Sequence, residues 1–127
     1  MKVIGAGVDI VENSRIKKSI LNSSFLNRVF TSEEILISKK MKNKSSYFAK
    51  RFAAKEAFVK SLGTGFRTGF NFKDISVIND KLGKPSFFIS KKIKNLIKKK
   101  YKTNSFNFFL SISDEKNYSV AFVVFQK

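Results

Sequence analysis

The stretch from Ser45 to Gly63 constrains the fold more than any other. Phe48, Phe52 and Val59 recur at helical spacing, with Ala49, Ala53 and Ala57 alongside. Ser45 or Ser46 can open this helix, and Gly63 stands where a left-handed residue would close it. A long helix with an apolar line must be covered. Before it, residues 2–11 alternate as a strand does. Ile4, Ala6, Val8 and Ile10 form one apolar face, and Gly5, Gly7 and Asp9 the other, which is expected to be open. Asn13 or Ser14 can cap a short helix carrying Ile16 and Ile20. Thr31-Ser32-Glu33-Glu34 has the pattern of a capping box before Ile35 and Leu36. Beyond the long helix, residues 74–79 and 86–89 read as strands joined by Asp80-Lys81-Leu82-Gly83. Ser90 opens a helix through about Tyr101, with Ile93, Leu96, Ile97 and Tyr101 inward. Residues 106–113 and 118–125 form a hairpin around Asp114-Glu115-Lys116-Asn117. This order predicts an α+β fold, a mainly antiparallel sheet packed on the long helix, as one domain over residues 1–127.

The residue alphabet limits the chemistry. There is no cysteine and no histidine. Disulfides, thiolate catalysis, imidazole acid/base chemistry and Cys-type zinc sites are therefore excluded. An enzyme built from this chain works with carboxylates, lysines and hydroxyls, and any metal is held by oxygen, which favours Mg²⁺, Mn²⁺ or Ca²⁺. The formal net charge is +17, and of 26 basic residues only Arg15, Arg28, Arg51 and Arg67 are arginine. The field attracts polyanions: nucleic acid, an anionic membrane, a phosphorylated cofactor or an acidic protein. The alternative is a lysine-rich surface with no partner. Few arginines argue against base readout. No apolar run reaches the length of a membrane span, and residues 1–12 lack a signal-peptide pattern, so a cytoplasmic protein is expected.

Two carboxylates call for an explanation. Glu56 lies four residues after Phe52 and three before Val59, on the apolar line of its helix. A carboxylate there is costly without compensation. Lys60, one turn on, is one candidate partner and a divalent cation another. Asp9 shares a strand face with two glycines, which mark close approach by a backbone or a ligand. It is otherwise an edge carboxylate or a helix cap. Together the two could hold a hard cation. Lys60-Ser61-Leu62-Gly63-Thr64-Gly65 can turn backbone N–H groups toward an anion, or can simply be a helix end and a turn. Arg67-Thr68-Gly69-Phe70-Asn71-Phe72 loosely matches an RNA-recognition sheet motif, but several helices precede the second strand, which does not suit that fold. Phe106, Phe108 and Phe109 could stack bases, though phenylalanine in strands is more often core. A nucleic-acid-binding module is the competing reading.

Taken together, these pieces resemble a family. Val8-Asp9-Ile10 is followed by Arg15-Ile16, then by Arg51-Phe52-Ala53-Ala54-Lys55-Glu56-Ala57, Lys60 and Gly63-Thr64-Gly65, and then by Asp74-Ile75, Gly83-Lys84-Pro85 and Ser111-Ile112-Ser113. The order is similar to that of the holo-[acyl-carrier-protein] synthases, the small bacterial 4′-phosphopantetheinyl transferases, from about residue 4 to residue 124. The resemblance implies the 4′-phosphopantetheinyl transferase fold. It also implies transfer of 4′-phosphopantetheine from coenzyme A to a serine of apo-acyl carrier protein, in fatty acid biosynthesis, with release of adenosine 3′,5′-bisphosphate. It implies Mg²⁺ on Asp9 and Glu56, and catalysis by Glu56 and Lys60, with the serine proton taken by Glu56 or a metal-bound water. Arg51, Lys60, Gly63, Thr64 and Gly65 would line the coenzyme A site. Arg15, with Lys18 and Arg28, would meet the acidic carrier protein. A homotrimer is implied too, with active sites between subunits. From the sequence itself, Val120-Ala121-Phe122-Val123-Val124-Phe125 is apolar on both faces, as suits a core or an interface.

The chain departs from the family at two places. Relatives often have histidine after Ser-Ile-Ser, where this chain has Asp114, read as a turn residue or as a ligand of water or metal. Basic positions of the first helix appear here as Ser19, Asn22 and Ser24, with Lys17, Lys18 and Arg28 as substitutes.

Overall fold

The computed structural model describes residues 1–63, 69 and 71–127. Strand β1 (Val3–Glu12) leads into three short helices, α1 (Asn13–Ser19), α2 (Ser23–Val29) and α3 (Ser32–Ser38), and then the long α4 (Lys44–Leu62). A 3₁₀ turn (Phe72–Asp74) precedes β2 (Ile75–Asn79) and β3 (Pro85–Ile89). Helix α5 (Lys91–Tyr101) and the hairpin β4 (Asn107–Asp114) and β5 (Tyr118–Gln126) complete the order. β1, β5 and β4 form one antiparallel sheet in that order, and β2 pairs with β3 in a second.

Local chemistry accounts for most boundaries. The Thr31 capping box forms in full: Thr31 Oγ1 accepts from the Glu34 amide at 3.2 Å and Glu34 Oε1 from the Thr31 amide at 2.9 Å. Gly63 ends α4 in the left-handed region at φ 72°. Asn43, rather than Ser45 or Ser46, caps its start by accepting from the Ser46 amide. Ser90 caps α5 as expected. Neither Asn13 nor Ser14 caps α1. Asn13 is buried and instead holds the β4–β5 turn, donating to the carbonyls of Glu115 and Lys116 while Ser119 Oγ donates to it.

The sheet lies against α4, but not by the face the alternation suggested. Gly5, Gly7, Asp9 and Val11 face the helix, and Ala6, Val8 and Ile10 face outward, Ile10 63% exposed. The reason is steric. A Cβ on Gly5 would fall 2.0 Å from the Ser61 carbonyl oxygen, and one on Gly7 2.0 Å from that of Ala57. Only a strand face without side chains lets the two backbones come this close. The interior then fills around α4. Phe48, Ala49, Ala53, Ala54, Ala57 and Phe58 are buried, and Phe108 stacks on Phe125 with ring centroids 4.5 Å apart. Phe108 is thus a core residue, while Phe109 on the same strand is exposed. Of the Arg67–Phe72 motif, Arg67, Thr68 and Phe70 lie outside the described residues.

Candidate functional site

The glycines that bring β1 onto α4 also place Asp9. Gly5 lies over Ser61 and Gly7 over Ala57. Two strand residues advance about 6.7 Å and four helical residues about 6 Å, so the next inward residue, Asp9, also lies along α4, near enough for its charge to act on Glu56. The Lys60 ammonium reaches back to β1, donating to Asp9 Oδ1 at 3.0 Å and to the Val8 carbonyl at 3.0 Å. Asp9 is 16% exposed and Lys60 53%. The intrahelical Glu56–Lys60 pair is not formed among the described residues, because Lys60 goes to Asp9. Asp9 is likewise neither a helix cap nor a freely solvated edge group.

Glu56 is half-buried. Burial first, and then the negative charge of Asp9, push its carboxyl above the usual range, while Lys60 and Arg15 pull it back. Two carboxylates are thus held close enough to repel, with one exposed lysine bonded to one of them. Hard oxygen donors with surplus negative charge suit Mg²⁺ or Mn²⁺. Among the described residues no group of three or more His, Cys, Asp or Glu side chains gathers, so an ion on this pair would keep positions for substrate oxygens and water.

Arg51 occupies a different face of α4. It is five residues from Glu56, about 140° around the helix and about 7.5 Å along it. Its side chain is buried, with the guanidinium 3.7 Å above the Tyr47 ring and Nη2 donating to Asn79 Oδ1 at 2.6 Å. Burial pulls its pKa below the ordinary arginine value. Among the described residues Nε has no hydrogen-bond partner. Arg51 lines a cleft of about 320 Å³ with Lys50, Met41, Pro85 and Asp114. Asp114 ends β4 opposite Ser119 and accepts from Ser46 Oγ at 3.2 Å. It belongs to the wall of the Arg51 cleft.

Arg15 and Lys18 are exposed on α1, and Arg28 is exposed in the last turn of α2. Of these, Arg15 is near enough to act on the Glu56 charge. Gly63 ends α4 one turn beyond Lys60. Thr64 and Gly65 lie outside the described residues.

The site rests on a buried ion pair that the sequence reading missed. Lys55 Nζ donates to Glu34 Oε1, to the Val29 carbonyl at 2.8 Å and to the Phe72 carbonyl at 3.2 Å. Glu34 Oε2 accepts from the Val77 amide at 2.9 Å, and the Tyr47 hydroxyl donates to the Glu34 carbonyl at 2.7 Å. The signal was available: Phe48, Phe52, Lys55, Val59 and Leu62 follow one another at alternating spacings of four and three, one stripe of a helix.

Comparisons with known proteins agree in kind. The model of the 4′-phosphopantetheinyl transferase superfamily matches residues 5–123. A holo-[acyl-carrier-protein] synthase of Pelagibacter ubique is 66% identical over 127 residues, spanning 100% of this chain and 99% of its own. Among solved structures, the holo-[acyl-carrier-protein] synthase of Neisseria meningitidis superposes with a TM-score of 0.88 at 38% identity, over 99% of this chain and 100% of that one. A Bacillus anthracis holo-(acyl-carrier-protein) synthase in complex with CoA (3′,5′-ADP) superposes with a TM-score of 0.79 at 36% identity, over 97% and 96%.

Proposed function

Because this chain belongs to the 4′-phosphopantetheinyl transferase superfamily, and within it to the holo-[acyl-carrier-protein] synthases, we propose that Asp9, Glu56 and Lys60 form its reaction centre. There 4′-phosphopantetheine passes from coenzyme A to a serine of an acyl carrier protein. The observation that carries this reading is the Asp9–Glu56 couple, two carboxylates from distant segments beside one lysine, with the Glu56 carboxyl pushed up by burial and then by the Asp9 charge.

Asp9 and Glu56 would hold Mg²⁺, which when bound supplies positive charge to the pyrophosphate and its leaving group. Lys60 offers donors to the phosphate oxygens. As the serine oxygen bonds to phosphorus and the bridging P–O bond breaks, the serine proton has to leave. With no histidine in the chain, Glu56 takes it as general base. Arg51, Gly63, Thr64 and Gly65 bind coenzyme A, Arg51 bringing a buried guanidinium whose Nε–H is unused among the described residues. Arg15, Lys18 and Arg28 meet the acidic carrier protein, whose approach the net charge of +17 favours.

The active enzyme is a homotrimer. Arg51 and Glu56 face different sides of α4, so Asp9 and Glu56 of one copy work with the Arg51 cleft of another. The outer face of the β1–β5–β4 sheet supports this: Val8, Ile10, Phe109 and Phe122 stand exposed on it, and contiguous exposed apolar side chains mark interaction surfaces. The setting is the cytoplasm and fatty acid biosynthesis. Among the described residues no helix is long and apolar enough to cross a membrane.

The test is direct. The protein is mixed with coenzyme A, Mg²⁺ and an apo-acyl carrier protein, and the carrier is weighed by mass spectrometry. A gain of one phosphopantetheine, stopped by EDTA and absent with Glu56→Gln, is expected. Near-normal transfer by Glu56→Gln would remove Glu56 from the centre.

A further inference from the structure

Lys60 has a second feature, which its role toward phosphate does not require. Its ammonium is seated on β1, bonded to Asp9 Oδ1 and to the Val8 carbonyl, both at 3.0 Å. The same ammonium acts on the Glu56 charge more strongly than Arg15 does. One lysine thus bonds to one carboxylate and offsets part of the charge of the other. Any cation that takes Asp9 Oδ1 must displace that ammonium or bear its repulsion. Displacement is structurally easy. Lys60 is in the last turn of α4, its side chain 53% exposed on a flexible four-carbon stem. The two bonds to β1 are all that hold it there among the described residues.

We propose that Lys60 is an internal counter-ion that excludes the divalent cation from Asp9 and Glu56 until a pyrophosphate draws it away, so that metal and coenzyme A bind cooperatively. The inference rests on the metal site proposed above and adds an order to it. Coenzyme A moves the positive charge of Lys60 from the carboxylates to the phosphate oxygens, which leaves Asp9 Oδ1 open to the ion. By linkage, the ion then raises the affinity for coenzyme A by the same factor. A lysine that only bound phosphate would leave the metal affinity of the free enzyme unchanged when removed.

Mn²⁺ binding to the full-length protein, followed by the EPR signal of free Mn²⁺, tests this without turnover. It is run with and without coenzyme A, against the same coenzyme A solution lacking protein. For the parent, coenzyme A is expected to tighten Mn²⁺ binding about tenfold or more. Lys60→Met is expected to bind Mn²⁺ several-fold more tightly than the parent without coenzyme A, and to lose most of the coenzyme A effect. Lys60→Arg, which keeps the charge, should stay near the parent without coenzyme A. Mn²⁺ affinity unchanged or weakened in Lys60→Met, whose fold is checked by circular dichroism, would overturn the proposal. Asp9→Asn separates the two levels. If it leaves Mn²⁺ binding intact, the metal site itself is misplaced and the counter-ion role falls with it. If it abolishes binding while Lys60→Met changes nothing, the site stands and only the counter-ion role fails.

Discussion

Lys55 Nζ and Glu34 Oε1 meet at 2.5 Å with both side chains sealed from solvent, 0% and 1% exposed. The pair ties α4 to α3, and through the Val29 and Phe72 carbonyls and the Val77 amide it also ties α4 to the end of α2, the 3₁₀ turn and β2. Burial pulls the lysine below its ordinary value and Glu34 opposes this. Glu56 is the next residue along the helix, so whatever fixes the rotation of α4 at Lys55 also fixes where Glu56 points.

Removing one partner is therefore expected to be severe. Lys55→Met leaves the Glu34 carboxylate buried without its counter-charge and withdraws a donor from the Val29 carbonyl. A loss of about 3–5 kcal/mol is the usual size for breaking a buried pair, and urea denaturation would measure it. The double variant Glu34→Leu/Lys55→Met should cost less than the sum of its two single variants, since no charge is then stranded.

Gly7→Ala puts a methyl 2.0 Å from the Ala57 carbonyl oxygen and 2.7 Å from the Ser61 nitrogen, both backbone atoms that cannot rotate away. The strand has to lift from the helix, at a cost of about 3 kcal/mol or more, and Asp9 moves with it. Both melting temperature and transfer rate should fall. Among the described residues Gly63→Ala meets nothing within 4 Å. It pays only for the left-handed conformation, about 1–2 kcal/mol.

The pH dependence of stability in EDTA should differ between the parent and Glu56→Gln. The folded Glu56 carboxyl binds its proton more tightly than the unfolded one. From the ordinary carboxylate value up to its raised value, the folded state holds more protons, so this group's contribution falls as pH rises. Glu56→Gln removes that slope. At neutral pH the variant should be at least as stable as the parent while transfer is lost, as paired melting curves across pH would show.

Phe122→Lys places a charge in the middle of the exposed apolar sheet face, opposite Val8 on β1 and Ser111 on β4. Its side chain faces away from the core, so the monomer should keep its fold. Sedimentation velocity should show loss of the trimer, and transfer activity should fall with it. A parent that sediments as a monomer at assay concentration would refute the assembly.

Asp114→Asn removes a negative charge from the cleft that holds Arg51. If that cleft takes the anionic end of coenzyme A, its KM should fall several-fold with kcat little changed. The hydrogen bond from Ser46 survives, because the amide oxygen still accepts.

Much of this was legible beforehand. The capping box at Thr31, the left-handed Gly63, the β2–β3 turn and the α5 cap are local hydrogen-bond chemistry within a few residues, and the structure reproduces them. The orientation of β1 was not legible. Alternation says that a strand has two faces but not which one meets the helix, and here an apolar face points outward because two glycines admit α4 on the other side. Lys55 was passed over for a related reason. A lysine in an apolar stripe looks like an interruption until its partner, Glu34, is known to lie across from it.

From the sequence alone came most of the elements, though not α2, together with the exclusion of imidazole and thiol chemistry and the family. These depend on residue type and on spacing along the chain. The tertiary structure decided the pairings. Lys60 could reach Glu56 along its own helix, yet it bonds to Asp9 and Val8, 51 and 52 residues away. That choice follows from how closely two backbones approach at Gly5 and Gly7, a distance set by packing between segments far apart in the chain.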